Sequence, residues 1–220
     1  MDGEQVKENL PHEYQLFWER MSGAIAPQCL LEEMGLAWSK VPVDMASAAH
    51  ESPDYIAINP TMRVPALHTP TGKTIGETGA IIVMLGEWHP ESGLVPQPGE
   101  ADRADFLFWL FYMASVGYPT FSRSWHPEQF TQEESAHGSI RETADADLDV
   151  LFGVLDGGIE GEATFLRRGF SALDIYLAMI ARWHPDRDSL FSKYSKVAAV
   201  CEATERRPAC GAVMGEHFGQ

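Results

Sequence analysis

The chain has 220 residues, 45% of them apolar and 22% charged, enough to bury a sizeable core in one large domain or two small ones and too apolar for a disordered chain. Its 16 basic and 32 acidic residues leave a formal net charge of −16, which repels polyphosphate and anionic lipid, so no nucleic-acid or membrane-surface partner is expected. Three cysteines, Cys29, Cys201 and Cys210, form neither a ligand cluster nor a disulfide framework; no metal is expected, and a reducing compartment fits best. Residues 1–13 carry more acid than base and no apolar core, so they read as an N-terminal extension and not as a signal peptide. No apolar run reaches the ~18 residues of a spanning helix. A cytoplasmic protein is expected.

Residues 14–19, Tyr-Gln-Leu-Phe-Trp-Glu, predict a short aromatic strand, followed by a turn over 20–24. From Ile25 to Met34 the apolar residues Ile25, Cys29, Leu30 and Met34 recur near helical spacing, with Pro27 tolerated in the first turn and Gly35 as the stop. Ser39–Val43 predicts a second strand, and Ala46–Asn59 at most a short helix. Two further strands, Val64–Thr69 and Lys73–Glu77, are joined by Pro70-Thr71-Gly72, a link short enough to require an antiparallel hairpin. Thr78–His89 is apolar almost all round, the pattern of a helix buried on several sides.

Residues 89–99, rich in proline and glycine, read as a linker, and everything beyond reads as helical. Asp105–Ser115 is an aromatic helix. Ala144–Leu155 places Leu148, Leu151, Phe152 and Leu155 on one face and Asp145, Asp147, Asp149 and Asp156 on a solvent face. Ser171-Ala172-Leu173-Asp174 has the form of a capping box opening the apolar helix 175–183, a folding device and not a catalytic pair. A last helix is predicted over Lys193–Arg206. Trp-His-Pro recurs at 88–90, 125–127 and 183–185; helix-ending chemistry accounts for it better than a histidine metal site, because proline stops a helix and histidine suits its last turn.

Several segments carry chemistry. In Asn59-Pro60-Thr61-Met62-Arg63-Val64-Pro65, a proline opening a strand removes one ladder donor and leaves the Val64 N–H and C=O free to pair with an extended peptide. Glu77 and Thr78 stand at a predicted helix N-terminus, where the threonine hydroxyl and N–H suit a carboxylate and the glutamate suits an α-ammonium. The plainer readings are that Thr78 caps its helix and Pro65 ends a loop. In the turn Glu19-Arg20-Met21-Ser22-Gly23-Ala24, Ser22 is the only hydroxyl. Cys29, on an apolar helix face, reads as inert packing.

The order βαβ–ββα, a linker and an all-helical second half, together with the stretches 59–67, 76–81, 170–175 and 27–35, resembles the cytosolic glutathione transferases over residues 14–210. The resemblance implies an α/β thioredoxin-like N-terminal domain over 14–89, a linker over 90–99 and an all-α domain over 100–220. It also implies a cis Val64–Pro65 bond, glutathione as co-substrate, a homodimer, and conjugation of the glutathione thiolate to a small hydrophobic electrophile. A non-catalytic interaction protein of the same fold is the alternative, and a glutathione-dependent peroxidase or ether-cleaving enzyme would use the same site. Ser22 takes the position of the family's thiolate-stabilising residue, a hydrogen bond to sulfur lowering the thiol pKa; the position falls instead on Gly23 or Ala24 if the alignment through Pro27 slips, and Ser22 is then a cap. Val64, Pro65, Glu77 and Thr78 are the expected glutathione contacts. Residues 1–90 hold 5 basic and 12 acidic residues, so an anionic tripeptide needs local cations; Arg63 and Arg20 are the candidates, while Lys40 and His50 read as solvated charges. For the electrophile, Trp109 and Tyr112 are selected from the aromatic helix.

Overall fold

The computed structural model describes residues 13–219, so that the expected extension lies outside the described residues apart from Glu13. Strand β1 (Tyr14–Trp18) runs into helix α1 (Ile25–Glu33) and returns as β2 (Trp38–Pro42), parallel to β1. The short helix α2 (Pro53–Ile58) leads to the hairpin β3 (Ala66–His68) and β4 (Thr74–Gly76), and α3 (Thr78–Trp88) closes this half. The sheet order is β2-β1-β3-β4, with β3 antiparallel to β1 and Leu16 paired to Leu67. The expected βαβ–ββα order therefore stands, as does the cis Val64–Pro65 bond.

The helical half comprises α4 (Arg103–Tyr112), α5 (Tyr118–Trp125), α6 (His137–Gly158), α7 (Ala172–Arg182), α8 (Arg187–Lys193), α9 (Ser195–Glu205) and α10 (Pro208–Phe218). Two expectations are corrected. The aromatic helix does not stop at Ser115: a π-helical segment, Met113–Gly117, carries the chain into α5. Pro119 has no N–H to give and its ring would crowd the carbonyl one turn back, so the widened segment lets the chain continue where a regular helix would break. The helix over 195–205 is not the last, because Pro208 at the first turn of α10 starts another whose Cys210, Val213, Met214 and His217 are buried. The acidic side of α6 is the exposed face, as expected, with Asp145, Asp147 and Asp149 exposed; Asp145 also accepts from Ser124 Oγ at 2.6 Å and Asp149 is paired with Lys193 at 2.6 Å. All three Trp-His-Pro sequences lie at helix ends. Among the described residues no helix is long and apolar enough to cross a membrane.

Helix α1 joins the halves. Ile25–Leu31 is buried along its whole length, packed against α3 on one side and α7 and α10 on the other. Its Gln28 is buried too, and is satisfied by Trp18 Nε1, which donates at 2.7 Å, and by Glu216, which accepts at 2.6 Å. Cys29 is fully buried beside Cys210, and that burial pushes its thiol well above the ordinary range, in keeping with packing.

At the centre of the helical half, α7 is buried at every position from Ala172 to Ala181. Its capping box is complete: Asp174 accepts from Ser171 N–H (2.8 Å), Ser171 Oγ (2.9 Å) and Phe165 N–H (2.7 Å). Asp174→Ala leaves three buried donors without an acceptor and is predicted to cost about 2–4 kcal/mol, read as a lower urea midpoint at unchanged slope. A loss under about 0.5 kcal/mol would show that water or another group satisfies these donors.

Candidate functional site

A cavity of about 600 Å³ opens where the end of β1, the loop before β3 and the N-terminus of α3 meet α5. Its floor follows from local sequence. At Glu77 the backbone takes φ +63°, turning the chain sharply out of β4 so that α3 begins at Thr78. The first N–H groups of a helix have no intrahelical partner, and Thr78 and Gly79 both line the cavity. The hydroxyl of Thr78, which is buried, donates to the Gly23 carbonyl at 3.1 Å and thereby ties α3 to the turn before α1.

Val64 lies on the facing wall. Its N–H and C=O take no part in the sheet ladder or in any loop hydrogen bond among the described residues. The loop that presents it is braced from behind: the Arg63 carbonyl accepts from Tyr55 Oη at 2.7 Å and from Asn59 Nδ2 at 2.8 Å. Arg63 and Glu77 are exposed, line the cavity, and have no side-chain partner among the described residues. The wall thus offers one cation, one anion, a free peptide edge and a helix N-terminus.

The turn after β1 borders the same cavity. Ser22 Oγ donates to the Glu19 carbonyl at 2.7 Å and accepts from Ala24 N–H at 3.1 Å. Its single proton is committed, and the geometry is that of a capped turn. Arg20 gives its Nε to the His217 carbonyl at 2.8 Å and Nη2 to the Gly219 carbonyl, so much of its guanidinium is engaged by the end of α10. Lys40 is no solvated charge, being paired with Glu216 and stacked 4.2 Å from the Trp18 ring.

Tyr118, one of the aromatic residues that crowd the predicted aromatic helix and its exit, is not among those selected from the sequence. Carried by α5, it lies against the turn: a Cβ on Gly23 would sit 3.2 Å from Tyr118 Cε2, 3.2 Å from Pro65 Cδ and 2.8 Å from Thr78 Oγ1, so only glycine allows this approach. Burial pushes the Tyr118 phenol up, while the Gly23 backbone and the Arg63 charge pull against it; it stays a protonated donor at neutral pH. Tyr176 of α7 lines the cavity behind it, its phenol also pushed up by burial.

A second cavity of about 540 Å³ adjoins the first, with Arg20, Met21, Tyr118, Ser122 and His126 on both. Phe121, Trp125, Trp183 and Phe218 make it mainly aromatic. Trp109 and Tyr112, selected from the sequence, line neither cavity. Trp109 packs 5.2 Å from the Phe165 ring and lies on Gly158, where a Cβ would come within 2.2 Å of its indole. The aromatic stripe of α4 is divided between core and exterior, and the cavity takes its aromatics from α5, α7 and α10.

Comparison with known proteins places this geometry. The family model described as glutathione S-transferase, N-terminal domain, matches residues 27–88. A relative named Glutathione S-transferase GstA, from Escherichia coli O157:H7, is 27% identical over 76% of this chain and 81% of its own. Protein URE2 of Eremothecium gossypii is 32% identical over 58% of this chain. The chain spans well under half the length of the URE2 relatives it matches, 38% in that case. A sphingomonad glutathione S-transferase solved with glutathione is 26% identical, with a TM-score of 0.79 over 94% of this chain and 100% of that one. Residues 27–88 thus match the N-terminal domain of the glutathione transferases, and the chain has that family's two-part fold.

Proposed function

We propose that this protein binds glutathione in the 600 Å³ cavity and transfers its thiolate to a hydrophobic electrophile held in the aromatic cavity beside it. The observation that carries the reading is the junction of the two cavities at the turn after β1, beside the half-buried Tyr118. Each part of the tripeptide has a chemical counterpart. Glu77 faces the α-ammonium, the Thr78 and Gly79 N–H groups take the γ-glutamyl carboxylate, the Val64 backbone pairs with the cysteinyl unit, and Arg63 neutralises the glycyl carboxylate. Pro65 shapes the edge that Val64 presents. Arg20, held by α10, adds positive potential near the sulfur.

Tyr118 is the sulfur donor in this proposal, because the Ser22 proton is already given to Glu19. A hydrogen bond from its phenol favours the thiolate, which attacks the electrophilic carbon; a carbon–sulfur bond forms and the leaving group departs with its electron pair, taking up the thiol proton through solvent. The second reading, a non-catalytic glutathione-binding protein, is favoured by the same commitment of Ser22 and requires Tyr118 to be idle. Exposed apolar side chains on α4 (Phe108, Phe111) and α6 (Val150, Val154) offer a surface for the homodimer that the family resemblance implies.

Three measurements check this reading. Calorimetry with millimolar glutathione is expected to give a saturable heat that weakens about tenfold or more in Gly23→Ala, whose Cβ pushes Thr78 and Tyr118 apart; no heat with folded wild-type protein would end the proposal. In a conjugation assay Tyr118→Phe is predicted to lose about 10- to 100-fold in rate near neutral pH and to shift the pH–rate limb upward, with a smaller loss for Ser22→Ala. An unchanged profile for Tyr118→Phe would return the donor role to the turn. Light scattering at micromolar concentration is expected to give twice the 24.4 kDa chain mass; a monomer mass would refute the dimer.

A further inference from the structure

Met21 lies where the two cavities adjoin and lines both. Its backbone sits at φ +57°, in the left-handed region where a Cβ crowds the following carbonyl and residues other than glycine seldom stay without support. The Ser22 hydroxyl braces the turn around it by donating to the Glu19 carbonyl, but no group of the turn accepts from the Met21 N–H itself. The acceptor comes from the end of α10, nearly two hundred residues away in sequence: the Met21 N–H donates to His217 Nδ1 at 3.0 Å.

His217 is fully buried and its other nitrogen is accounted for as well. Since Nδ1 accepts, the proton belongs on Nε2, which donates to Gln28 Oε1 at 2.9 Å. Trp18 Nε1 is also near that nitrogen, at 3.0 Å, but both are then donors, and the indole gives its proton to the same Gln28 oxygen at 2.7 Å. Gln28 in turn donates to Glu216, and Glu216 pairs with Lys40. Arg20, next to Met21, grips the His217 and Gly219 carbonyls. Every hydrogen-bonding atom of the imidazole is thus used in one tautomer. The charged groups around it are Glu216 on its own helix, Lys40 on β2 and Arg20 in the turn. Burial first, then Lys40 and Arg20, hold its pKa down to about 4 against the opposing Glu216, so the ring is a fixed neutral acceptor at ordinary pH.

We propose that His217 is a positioning residue: through its neutral Nδ1 it locks Met21 in the left-handed conformation, and the last turn of α10 thereby sets the junction of the glutathione cavity and the aromatic cavity. Met21 is followed directly by Ser22 and Gly23, so releasing it moves the residues on which Thr78 and Tyr118 rest. The lock itself is a property of the ligand-free chain. Only its effect on glutathione rests on the function proposed above.

The test uses the 220-residue chain with His217→Leu, which fills the space without an acceptor, and His217→Asn, whose amide oxygen takes the place of Nδ1. Hydrogen exchange of the Met21 amide is expected to be about tenfold or more faster in His217→Leu and to return toward the wild-type rate in His217→Asn. The glutathione Kd is expected to rise about fivefold to tenfold in the leucine variant and to recover in the asparagine one. A Met21 amide as protected in His217→Leu as in the wild type overturns the lock, and faster exchange with an unchanged Kd overturns its role in positioning. If wild-type protein binds no glutathione but shows the exchange pattern, the lock is supported and the transferase reading fails. Should His217→Leu not fold, the imidazole ¹⁵N spectrum of the wild type decides: a bare Nδ1 supports the proposal, and a protonated Nδ1 overturns it.

Discussion

The buried hydroxyl of Thr78 donates to the Gly23 carbonyl across 3.1 Å, and this bond fixes the start of α3 against the turn that precedes α1. Both residues are at chain reversals that their neighbours make difficult: Glu77 is at positive φ on one side and Met21 on the other. Because Gly23 has no side chain, Pro65 and Tyr118 also close on the same point. The free peptide edge at Val64, the open N-terminus of α3 and the Tyr118 phenol converge because one small residue lets three elements meet there. A larger residue at Gly23 would separate them without altering the fold around them.

The arrangement draws on both halves of the molecule. The α/β half contributes the peptide edge, the helix N-terminus and the charges of Arg63 and Glu77, all of which suit a zwitterionic tripeptide. The helical half contributes Tyr118, Tyr176 and the aromatic cavity. Helix α1, buried from Ile25 to Leu31, transmits the packing of one half to the other, and its polar Gln28 is tolerated there only because Trp18, His217 and Glu216 satisfy it. The field at the cavity is set by nearby groups and not by the net charge of −16: α3's N-terminus, Arg63 and Arg20 are positive there, Glu19 and Glu77 negative.

Much of the fold is legible in local chemistry. Pro70-Thr71-Gly72 announces the hairpin, the Ser171–Asp174 spacing announces α7, and the Trp-His-Pro sequences mark helix ends, because in each case the signal and its structural effect lie within one turn of each other. The cavity wall of Val64, Glu77 and Thr78 is legible for the same reason, since a strand-opening proline and a helix N-terminus are local features. Tyr118 is not, because its importance depends on the absence of a side chain at Gly23, far away in sequence. The choice of Trp109 and Tyr112 rests on composition alone; an aromatic stripe does not reveal which of its members meet Gly158 and Phe165 in the core. Helix α10 could have been read from Pro208 and the spacing of Cys210, Val213, Met214 and His217, but its hold on Met21 could not.

A crystal structure of the complex with glutathione tests the account most directly. The account predicts the cysteinyl backbone paired with Val64, the γ-glutamyl group at the N-terminus of α3, and the sulfur within about 3.5 Å of Tyr118 Oη, beside Met21 at the mouth of the aromatic cavity. Glutathione seated with its sulfur turned away from Tyr118, or bound outside this cavity, would contradict it.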